Sequence, residues 1–404
     1  MRNTAYLIGA RISSGISGYL ILSFAANQLS ASQFATLSTV QAGIFLSLVF
    51  VDSGITQYAV RETAGNPEWQ EKANRFQNIR ITIHITLALG VALVHLSGLL
   101  PSAGTGLIYA TAMMLLSNAL VMDWLLFSRD EKSYWSVKAL VTSGINVTTA
   151  VTLLFLLDLP EAVLLGVTFS NIAGWLYLRT KYPKWSFAPA LPTRSEITRS
   201  SQLAATAIVC HTAYNAPLLI ASILAGDKVF AIYALLYRLF SASTMFIPTL
   251  VEFKTAKEIA KIKKNHKRGH LEVFSHLGLI SLLVCSPILL LPNNLIYAIL
   301  SAAIEIERFQ IETNHLDAIK IALLLYCADF ASQRTAYIFD QRKTLVTSGI
   351  FGVLIAATVL AFEILLNHQP DPFSWFHPLF AYQATSTSLV LITMTISRRR
   401  ELIQ

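Results

Sequence analysis

The chain has few charged residues for its length. Asp, Glu, Lys and Arg make up 13% of its 404 residues, whereas soluble domains contain about 25%. Hydrophobic residues account for 54%. This composition excludes an ordinary soluble domain and predicts a polytopic membrane protein. We expect an all-α fold, because an apolar segment of this kind satisfies its backbone in lipid as a helix.

Cysteines are few and the common catalytic motifs are missing. The three cysteines, Cys210, Cys285 and Cys327, all lie in apolar segments and show no C-x-x-C spacing. We interpret them as small buried hydrophobic residues and not as disulfide partners or metal ligands. The sequence has no Walker A loop, no H-E-x-x-H and no G-x-S-x-G motif. We therefore expect no catalytic residues, no metal and no cofactor.

Acidic residues are outnumbered by basic ones, 23 to 31, which gives a net charge of +8. The basic residues do not cluster on a soluble domain, so we expect no nucleic-acid partner. They concentrate in alternate connections between apolar segments, as the positive-inside rule predicts for cytoplasmic loops. Both termini are therefore predicted to be cytoplasmic. The first two basic connections contain Arg61, Lys72, Arg75, Arg80, Arg129, Lys132 and Lys138.

Long apolar segments make up most of the chain. A spanning helix needs about 20 apolar residues, and by this criterion we place twelve transmembrane helices. Twelve is an even number, as two cytoplasmic termini require. The predicted spans are residues 4–27, 35–58, 79–100, 105–127, 136–157, 162–180, 203–225, 229–252, 272–292, 315–338, 344–366 and 378–396.

The longest cytoplasmic connection, residues 182–201, divides the spans into two sets of six and contains three prolines. Each half opens with a long hairpin, in which Phe34 of the first corresponds to Phe230 of the second. Such repeats are typical of transporters with a site at mid-depth between two bundles. We predict two pseudo-symmetric six-helix bundles, 1–181 and 202–404, around a central cavity.

Arg11 is a permanent charge within the first predicted span. Ser14, Gly15 and Gly18 share its helix face, which gives a stripe of small and polar residues. An arginine in lipid is costly unless it faces a wet cavity or a partner. We favour a cavity in which Arg11 and Ser14 bind an anionic substrate. The alternative is that Arg11 snorkels to the headgroups at the cytoplasmic end of the helix.

Arg238 lies about nine residues into the eighth span, near the membrane midplane, where snorkelling is difficult. A guanidinium stays charged and binds phosphate oxygens bidentately. We therefore assign Arg238 to the substrate site. The alternative is a structural ion pair with Asp329 or Glu363.

The seventh span places His211, Asn215 and Ser222 on one face, and Pro217 is expected to bend the helix because it removes a backbone hydrogen bond. Bent helices beside polar stripes are typical of transport sites at mid-depth. His211 and Asn215 are therefore candidate substrate-binding residues. A kink whose polar groups are satisfied by neighbouring helices is an equally open interpretation.

Two acids in apolar segments are candidates for ion coupling. Asp52 lies in the inner third of the second span, and Asp329 lies in the tenth, where Ser332 and Gln333 share its face. A buried carboxylate beside a cavity can carry a coupling proton or sodium ion. More often, such an acid neutralises a nearby arginine.

Two hairpins resemble those of a known family. The first contains the turn Leu29–Phe34 and the segment Val51–Ile55, and the second covers Leu218–Val251. They resemble the hairpins of bacterial polysaccharide flippases, the O-antigen and exopolysaccharide translocases of the multidrug/oligosaccharidyl-lipid/polysaccharide exporter (MOP) superfamily. Ala35 stands where that family usually has glycine, and Ser53 where it usually has leucine.

The resemblance implies two bundles that alternate between inward-open and outward-open states in a bacterial inner membrane. Their cationic central cavity would accept the diphosphate and sugars of a polyprenyl-diphosphate-linked oligosaccharide and release them on the outer leaflet. Arg11 and Arg238 are the matching cavity cations. The implied partners are this oligosaccharide, membrane lipids, and the polymerase and chain-length machinery of O-antigen or lipopolysaccharide synthesis.

Two other functions stay open at this point. A drug/cation antiporter of the same superfamily would favour deep acids over deep arginines, so Arg11 and Arg238 argue against it. A membrane O-antigen polymerase or ligase would be an enzyme with a long external loop, whereas the external connections here are short. His368 and His377, in the last of them, are the support for that function.

Overall fold

The fold is all-helical. The computed structural model describes residues 2–52, 55–63, 68–97, 104–129, 131–183, 186–244, 247, 269–304, 309, 311–313, 315–339, 341–366 and 371–403. Within these ranges every regular element is a helix, so the predicted all-α class is confirmed. The side chains of some helical residues, among them Arg11, Asp52 and His211, lie outside the described set.

The chain forms two compact units, residues 1–208 and 209–404. Helices α1 to α8 belong to the first unit, and α9 runs across the boundary. Their bounds are α1 Arg2–Gln28, α2 Ala31–Asp52, α3 Ile55–Thr63, α4 Trp69–Leu96, α5 Thr105–Asn118, α6 Asp123–Ser128, α7 Lys132–Leu157, α8 Glu161–Lys181 and α9 Arg194–Leu224.

The second unit continues with further helices and one short 3-10 turn. Their bounds are α10 Asp227–Thr244, α11 His270–Leu290, α12 Asn293–Ala303, α13 His315–Ile338, α14 Arg342–Leu366, the 3-10 turn Ser374–Phe376 and α15 His377–Ile403. The proposed boundaries 1–181, 182–201 and 202–404 concern two repeated bundles and stay a prediction, because compactness alone does not establish a repeat.

Each of the twelve predicted spans overlaps one of these helices or two consecutive ones. Large apolar side chains on them point outward: Leu93, Phe155 and Leu365 are 65%, 71% and 75% exposed. Contact of such side chains with lipid is favoured over contact with water, and the helices that carry these three side chains have the length and hydropathy of membrane spans. The chain is therefore a multi-pass membrane protein. Among the described helices, seven stretches are long and apolar enough to cross a bilayer, namely Trp69–Leu96, Thr105–Leu126, Lys132–Leu157, Glu161–Lys181, His270–Leu290, Lys343–Leu365 and Ser374–Ile396.

Small residues let the helices of the first unit approach closely. Helix α7 packs along α8 and along α1. A Cβ atom on Gly166 of α8 would come within 2.8 Å of the Cβ atom of Ala150 on α7. A Cβ atom on Gly174 would come within 2.8 Å of Thr142 Cγ2. Close packing of small residues is a usual means of association between helices in lipid.

The turn between α1 and α2 is a helix cap. The amide of Gln33 donates to Ser30 Oγ over 3.2 Å, and the amide of Ser30 donates to Gln33 Oε1 over 2.9 Å. This reciprocal pair is a capping box. Leu29 and Phe34, which flank the box, are 0% and 1% exposed, as expected of a hydrophobic staple. The motif that carries the family resemblance thus fixes the start of α2.

A second capping box starts α9 at Arg194, inside the segment predicted to be a linker. The amide of Thr193 donates to Glu196 Oε2 over 2.7 Å, and the amide of Glu196 donates to Thr193 Oγ1 over 3.3 Å. Arg75 of α4 donates to both carboxylate oxygens of Glu196, each over 2.9 Å. Burial alone would raise the pKa of Glu196, but hydrogen bonds from Arg75 and Thr193 outweigh burial and lower the pKa.

The fourth predicted span, residues 105–127, is interrupted. Helix α5 ends at Asn118 and α6 begins at Asp123. Between them, the amides of Ala119, Leu120 and Val121 donate to carbonyls three residues earlier, as in a 3-10 turn. The span therefore consists of two helices joined by a short unwound segment.

Two of the cysteines lie on neighbouring helices of the second unit. Cys285 belongs to α11 and Cys327 to α13, and these two helices pack along each other. Both side chains are buried free thiols, which confirms that they are small residues of the interior. The side chain of Cys210 lies outside the described residues.

Candidate functional site

Three of the predicted site residues have side chains outside the described set. Arg11 lies in α1, Asp52 ends α2 and His211 lies in α9. Their assigned roles stay predictions, and so does the alternative that Arg11 snorkels.

Ser14 joins two helices of the first unit. Its hydroxyl donates to the carbonyl of Ala10 over 3.0 Å and lies 2.9 Å from the hydroxyl of Ser143 on α7. The small, polar stripe on α1 therefore faces α7 at this level. Because α1 packs along α7 here, Ser14 helps to fix the position of the helix that carries Arg11.

Arg238 and Asn215 both lie in the second unit and are partly buried. Arg238 stands in α10 between Tyr237 and Leu239, which are 4% and 7% exposed. Its Nε atom is shielded from solvent. The side chain of Arg238 is therefore held within the protein along much of its length, as expected of a residue at this depth in the span. Asn215 lies in α9.

Asp329 lies at the centre of a buried polar cluster in the second unit, and is itself 1% exposed. Gln333, one turn later on α13, donates to Asp329 Oδ2 over 2.8 Å, and the hydroxyl of Tyr214 donates to the same oxygen over 3.2 Å. Gln383 of α15 donates to the Tyr214 hydroxyl over 3.2 Å, and Ser386 adjoins the carboxylate. We call these five residues the Asp329 cluster. It joins α9, α13 and α15.

Aromatic rings hold Tyr214 in place. Its ring centroid lies 5.7 Å from that of Tyr382, 5.8 Å from that of Tyr326 and 6.5 Å from that of Phe240. These rings come from α15, α13 and α10. The hydroxyl that contacts Asp329 is therefore positioned by packing from three helices.

The backbone beside the predicted kink of α9 has a side-chain partner. The hydroxyl of Tyr237 donates to the backbone carbonyl of Tyr214, which precedes Pro217 by three residues. A proline within a helix disturbs the hydrogen bonds of the preceding turn, and a donor from α10 supports the backbone at that point. Both the carbonyl and the hydroxyl of Tyr214 thus have partners on neighbouring helices, which agrees with the interpretation of a kink satisfied by its neighbours.

One alternative for Arg238, an ion pair with Asp329, finds no support in the contacts of the acid. The side chains recorded around its carboxylate are the neutral groups of Tyr214, Gln333 and Ser386. Within the part of the chain that the structure describes, no cation pairs with Asp329. Glu363, the other suggested partner of Arg238, lies with Oε1 2.6 Å from Nδ1 of His377.

The sequence did not indicate two members of the Asp329 cluster, Gln383 and Ser386. Both are almost completely buried, at 0% and 1% exposure, on one face of α15. The available signal was a pair of polar residues, three positions apart, within the last apolar span. A pattern on one helix does not show which residue of another helix it meets.

A second buried polar cluster lies in the first unit, on α4. Gln77 and Arg80 are 0% and 6% exposed, and they donate to the carbonyls of Ala119 and Val121 in the interruption between α5 and α6. His84, one turn further, lies with Nδ1 2.8 Å from the carbonyl of Arg80. Arg80, which the charge pattern groups with a basic connection, is a buried residue of α4 that donates to an unwound segment.

Lys138 is a second buried residue that the charge pattern assigned to a connection. It is 6% exposed and forms an ion pair with Asp123 at the start of α6. Trp135 Nε1 also donates to Asp123, over 3.1 Å. Removal of a charge from water is costly unless it is paired, and this pair meets that condition.

A metal centre has no candidate ligand set among the described residues. Within those residues, no group of three or more His, Cys, Asp or Glu side chains could hold a metal ion. The polar groups of the site are instead hydroxyls, amides, a carboxylate and a guanidinium. Such groups bind substrates or small cations through hydrogen bonds and charge.

Solved structures with the same fold are transporters of the MOP superfamily. One of them, from Pyrococcus furiosus, is described as a MOP transporter whose binding pocket of reverse polarity suggests a different function. It is 12% identical to this chain, and the two structures match with a TM-score of 0.63 over 98% of this chain and 93% of that one. A multidrug resistance MATE family transporter in an inward-facing conformation is 13% identical, with a TM-score of 0.62 over 98% and 94% of the two chains.

A MATE structure in complex with MaL6 is 11% identical, with a TM-score of 0.59 over 99% of this chain and 98% of that one. At these identities the similarity shows the fold alone. None of the curated proteins matches the chain. The fold defines the class: a multi-pass membrane protein with the architecture of the MOP transporters.

The family follows from the sequence itself. A family model described as "Polysaccharide biosynthesis protein" matches residues 1–252. The chain belongs to this family, and the resemblance to polysaccharide flippases of the MOP superfamily is confirmed. The matched region contains both hairpins that carry the resemblance.

Proposed function

We propose that this protein moves a polyprenyl-diphosphate-linked oligosaccharide from the cytoplasmic to the outer leaflet by alternating access. The observation that carries the proposal is a permanent cation, Arg238, within a helix of a chain from a polysaccharide biosynthesis family. A guanidinium at this depth is favoured where water or an anion can reach it. The diphosphate of a lipid-linked sugar is such an anion, and a guanidinium binds its oxygens bidentately.

In this proposal Arg11 and Arg238 bind the diphosphate, and His211 and Asn215 hydrogen-bond the adjoining sugar. Ser14 holds the helix of Arg11 against α7 through Ser143. The Pyrococcus furiosus transporter is described as having a pocket of reverse polarity, so the MOP fold accommodates pockets of different polarity. We propose a cationic one here.

Asp329 and Asp52 are the proposed coupling groups. Asp329 has the stronger support of the two. It is buried, and none of its described partners is a cation. One of its carboxylate oxygens, Oδ1, accepts no hydrogen bond from a described residue. Gln383 Oε1, in the same cluster, also accepts no hydrogen bond from a described residue. A buried carboxylate without a counter-charge is costly, and binding of a proton or a sodium ion relieves that cost.

The proposed setting is the inner membrane of a bacterium, with both termini in the cytoplasm. The basic connections favour this orientation through the positive-inside rule. There the protein would act in O-antigen or lipopolysaccharide synthesis, together with the polymerase and chain-length machinery that uses the flipped repeat unit.

Deletion of the gene, followed by extraction of lipids, tests the proposed reaction. We expect lipid-linked oligosaccharide to accumulate on the cytoplasmic leaflet and surface polysaccharide to disappear, and plasmid-borne wild-type protein should restore both. Single repeat units with a normal distribution between leaflets, together with absence of polymer, would instead indicate a polymerase or ligase.

A drug/cation antiporter is the second candidate, because Asp329 is a deep acid of the kind that this function favours. The same deletion strain distinguishes it. Loss of drug efflux with normal surface polysaccharide would support the antiporter and contradict the flippase.

A further inference from the structure

A cavity of about 540 Å³ opens in the second unit, beside the start of α13. Ligand pockets in proteins commonly measure about 300 to 1,000 Å³. We call it the α13 cavity. It is lined by His315, Asp317, Lys320, Ile321, Asp371 and Phe373.

His315 and Asp317 each use one polar atom to hold their position. His315 Nδ1 accepts the amide of Glu312 over 3.1 Å, so in the neutral ring the proton resides on Nε2, which is a donor. Asp317 Oδ1 accepts from Asn293 Nδ2 over 2.7 Å. The second carboxylate oxygen, Oδ2, accepts no hydrogen bond from a described residue.

Lys320 and Asp371 are anchored in the same way. Lys320 Nζ donates to the carbonyl of Leu291 over 2.6 Å, which leaves two of its three hydrogens for a ligand. Asp371 Oδ1 accepts the amide of Ser374 over 2.7 Å. Its other oxygen is not engaged by any described residue.

The α13 cavity therefore presents donors and acceptors together. His315 Nε2 and Lys320 Nζ donate, and Asp317 Oδ2 and Asp371 Oδ2 accept. A hydroxyl group both donates and accepts, so a sugar with several hydroxyls satisfies both kinds of atom. Two carboxylates against one ammonium disfavour a phosphate. Among the described residues, no set of three acidic, His or Cys side chains suits a metal.

Phe373 adds an apolar surface to this polar lining. Its ring is partly buried and lies against His377 and Phe380, with centroids 5.4 Å and 6.1 Å away. These neighbours limit its movement. A fixed aromatic ring beside hydrogen-bonding groups suits a sugar, because the C–H face of a pyranose packs on the ring while its hydroxyls reach the polar atoms.

We propose that the α13 cavity binds neutral sugar residues of the transported oligosaccharide. This inference rests on the proposed function and separates two tasks within it: arginines bind the diphosphate, whereas an uncharged part of the oligosaccharide enters the α13 cavity. The predicted topology places the connections before α13 and before α15 outside the membrane, on the side where the sugars are released.

The test is binding of free sugar to the purified full-length protein in detergent, measured by saturation-transfer NMR with neutral tri- to pentasaccharides of hexoses and N-acetylhexosamines. We expect binding to wild type that is about tenfold weaker in Asp317→Ala and in Lys320→Met, since each removes a charged hydrogen-bonding partner. Glu312→Gln is the matched control, because Glu312 is exposed nearby but does not line the cavity. It should bind as wild type does, and pyrophosphate should not compete.

Two results would overturn the assignment of the α13 cavity to sugars. The first is that none of the tested oligosaccharides binds the wild-type protein. The second is that both cavity variants bind sugar as tightly as wild type does while they elute as monodisperse protein in gel filtration. Competition by pyrophosphate would assign the cavity to anions and also contradict it. Arg238→Ala should keep free-sugar binding. The two proposals can fail separately. If the cavity variants lose sugar binding but the deletion strain shows no change in lipid-linked oligosaccharide, the sugar site in the α13 cavity is supported and the flippase proposal is rejected.

Discussion

Arg80 and Arg238 are both arginines in helices of a membrane protein, and we assign them different roles. Arg80 Nη1 donates to the carbonyl of Val121 and lies 3.4 Å from Gln77 Oε1. These acceptors belong to the protein, and they give Arg80 a structural role in the interruption between α5 and α6. Arg238 is partly buried within α10, and the described contacts of Asp329 do not include it. Of the two arginines, we propose a role in substrate binding for Arg238 alone.

Replacement of Arg80 by methionine should destabilise the first unit. Arg80→Met keeps much of the buried side-chain volume but removes a charged donor from a partly buried carbonyl, which costs about 2 kcal/mol. We expect a lower midpoint of thermal unfolding for the detergent-solubilised protein. Arg194→Met, at an exposed arginine, should unfold as wild type does. An Arg80→Met midpoint equal to that of wild type would show that these hydrogen bonds do not stabilise the fold.

Among the helices, side chains determine where an element begins and where one breaks. The boxes Ser30–Gln33 and Thr193–Glu196 start α2 and α9. The break between α5 and α6 has a different cause. Its residues, 119–122, are Ala-Leu-Val-Met, without proline or glycine, and its carbonyls accept from Gln77 and Arg80 of another helix.

The start of α9 should depend on pH through Glu196. Its pKa is lowered in the fold, so its stabilisation is complete above the unfolded value of about 4.3 and is lost as pH falls through the folded value. We expect backbone amides 196–200 to lose hydrogen-exchange protection between pH 7 and about pH 3. Glu196→Gln, which cannot ionise but can still form a capping box, should show protection that does not change between the two pH values. Equal protection of these amides in the wild type at pH 7 and at about pH 3 would contradict the proposed role of Glu196.

Across the full chain, the sequence was sufficient to locate most helices because their signal is local. Length and hydropathy place twelve segments, and each overlaps a helix. The same local signal assigns Arg80 and Lys138 to connections, because position between apolar runs does not reveal burial. Both side chains are buried through contacts with residues 15 to 41 positions away.

The candidate site was predictable only in part. Asp329 and Gln333 share a helix face, so their contact follows from spacing on α13. Tyr214 and Gln383 come from α9 and α15, and no pattern within one helix shows that they meet at Asp329. The same limit applies to the α13 cavity, whose lining residues come from two separate parts of the chain.

Surface polysaccharide in the deletion strain carrying Arg238→Ala is the measurement on which the flippase proposal depends most. A strain with Arg238→Lys tests whether charge alone suffices, and Arg194→Ala serves as the control at an exposed arginine. With equal amounts of each protein in the membrane, we predict no polymer for Arg238→Ala and wild-type polymer for Arg194→Ala. Wild-type polymer in the Arg238→Ala strain would contradict the proposed role of this guanidinium.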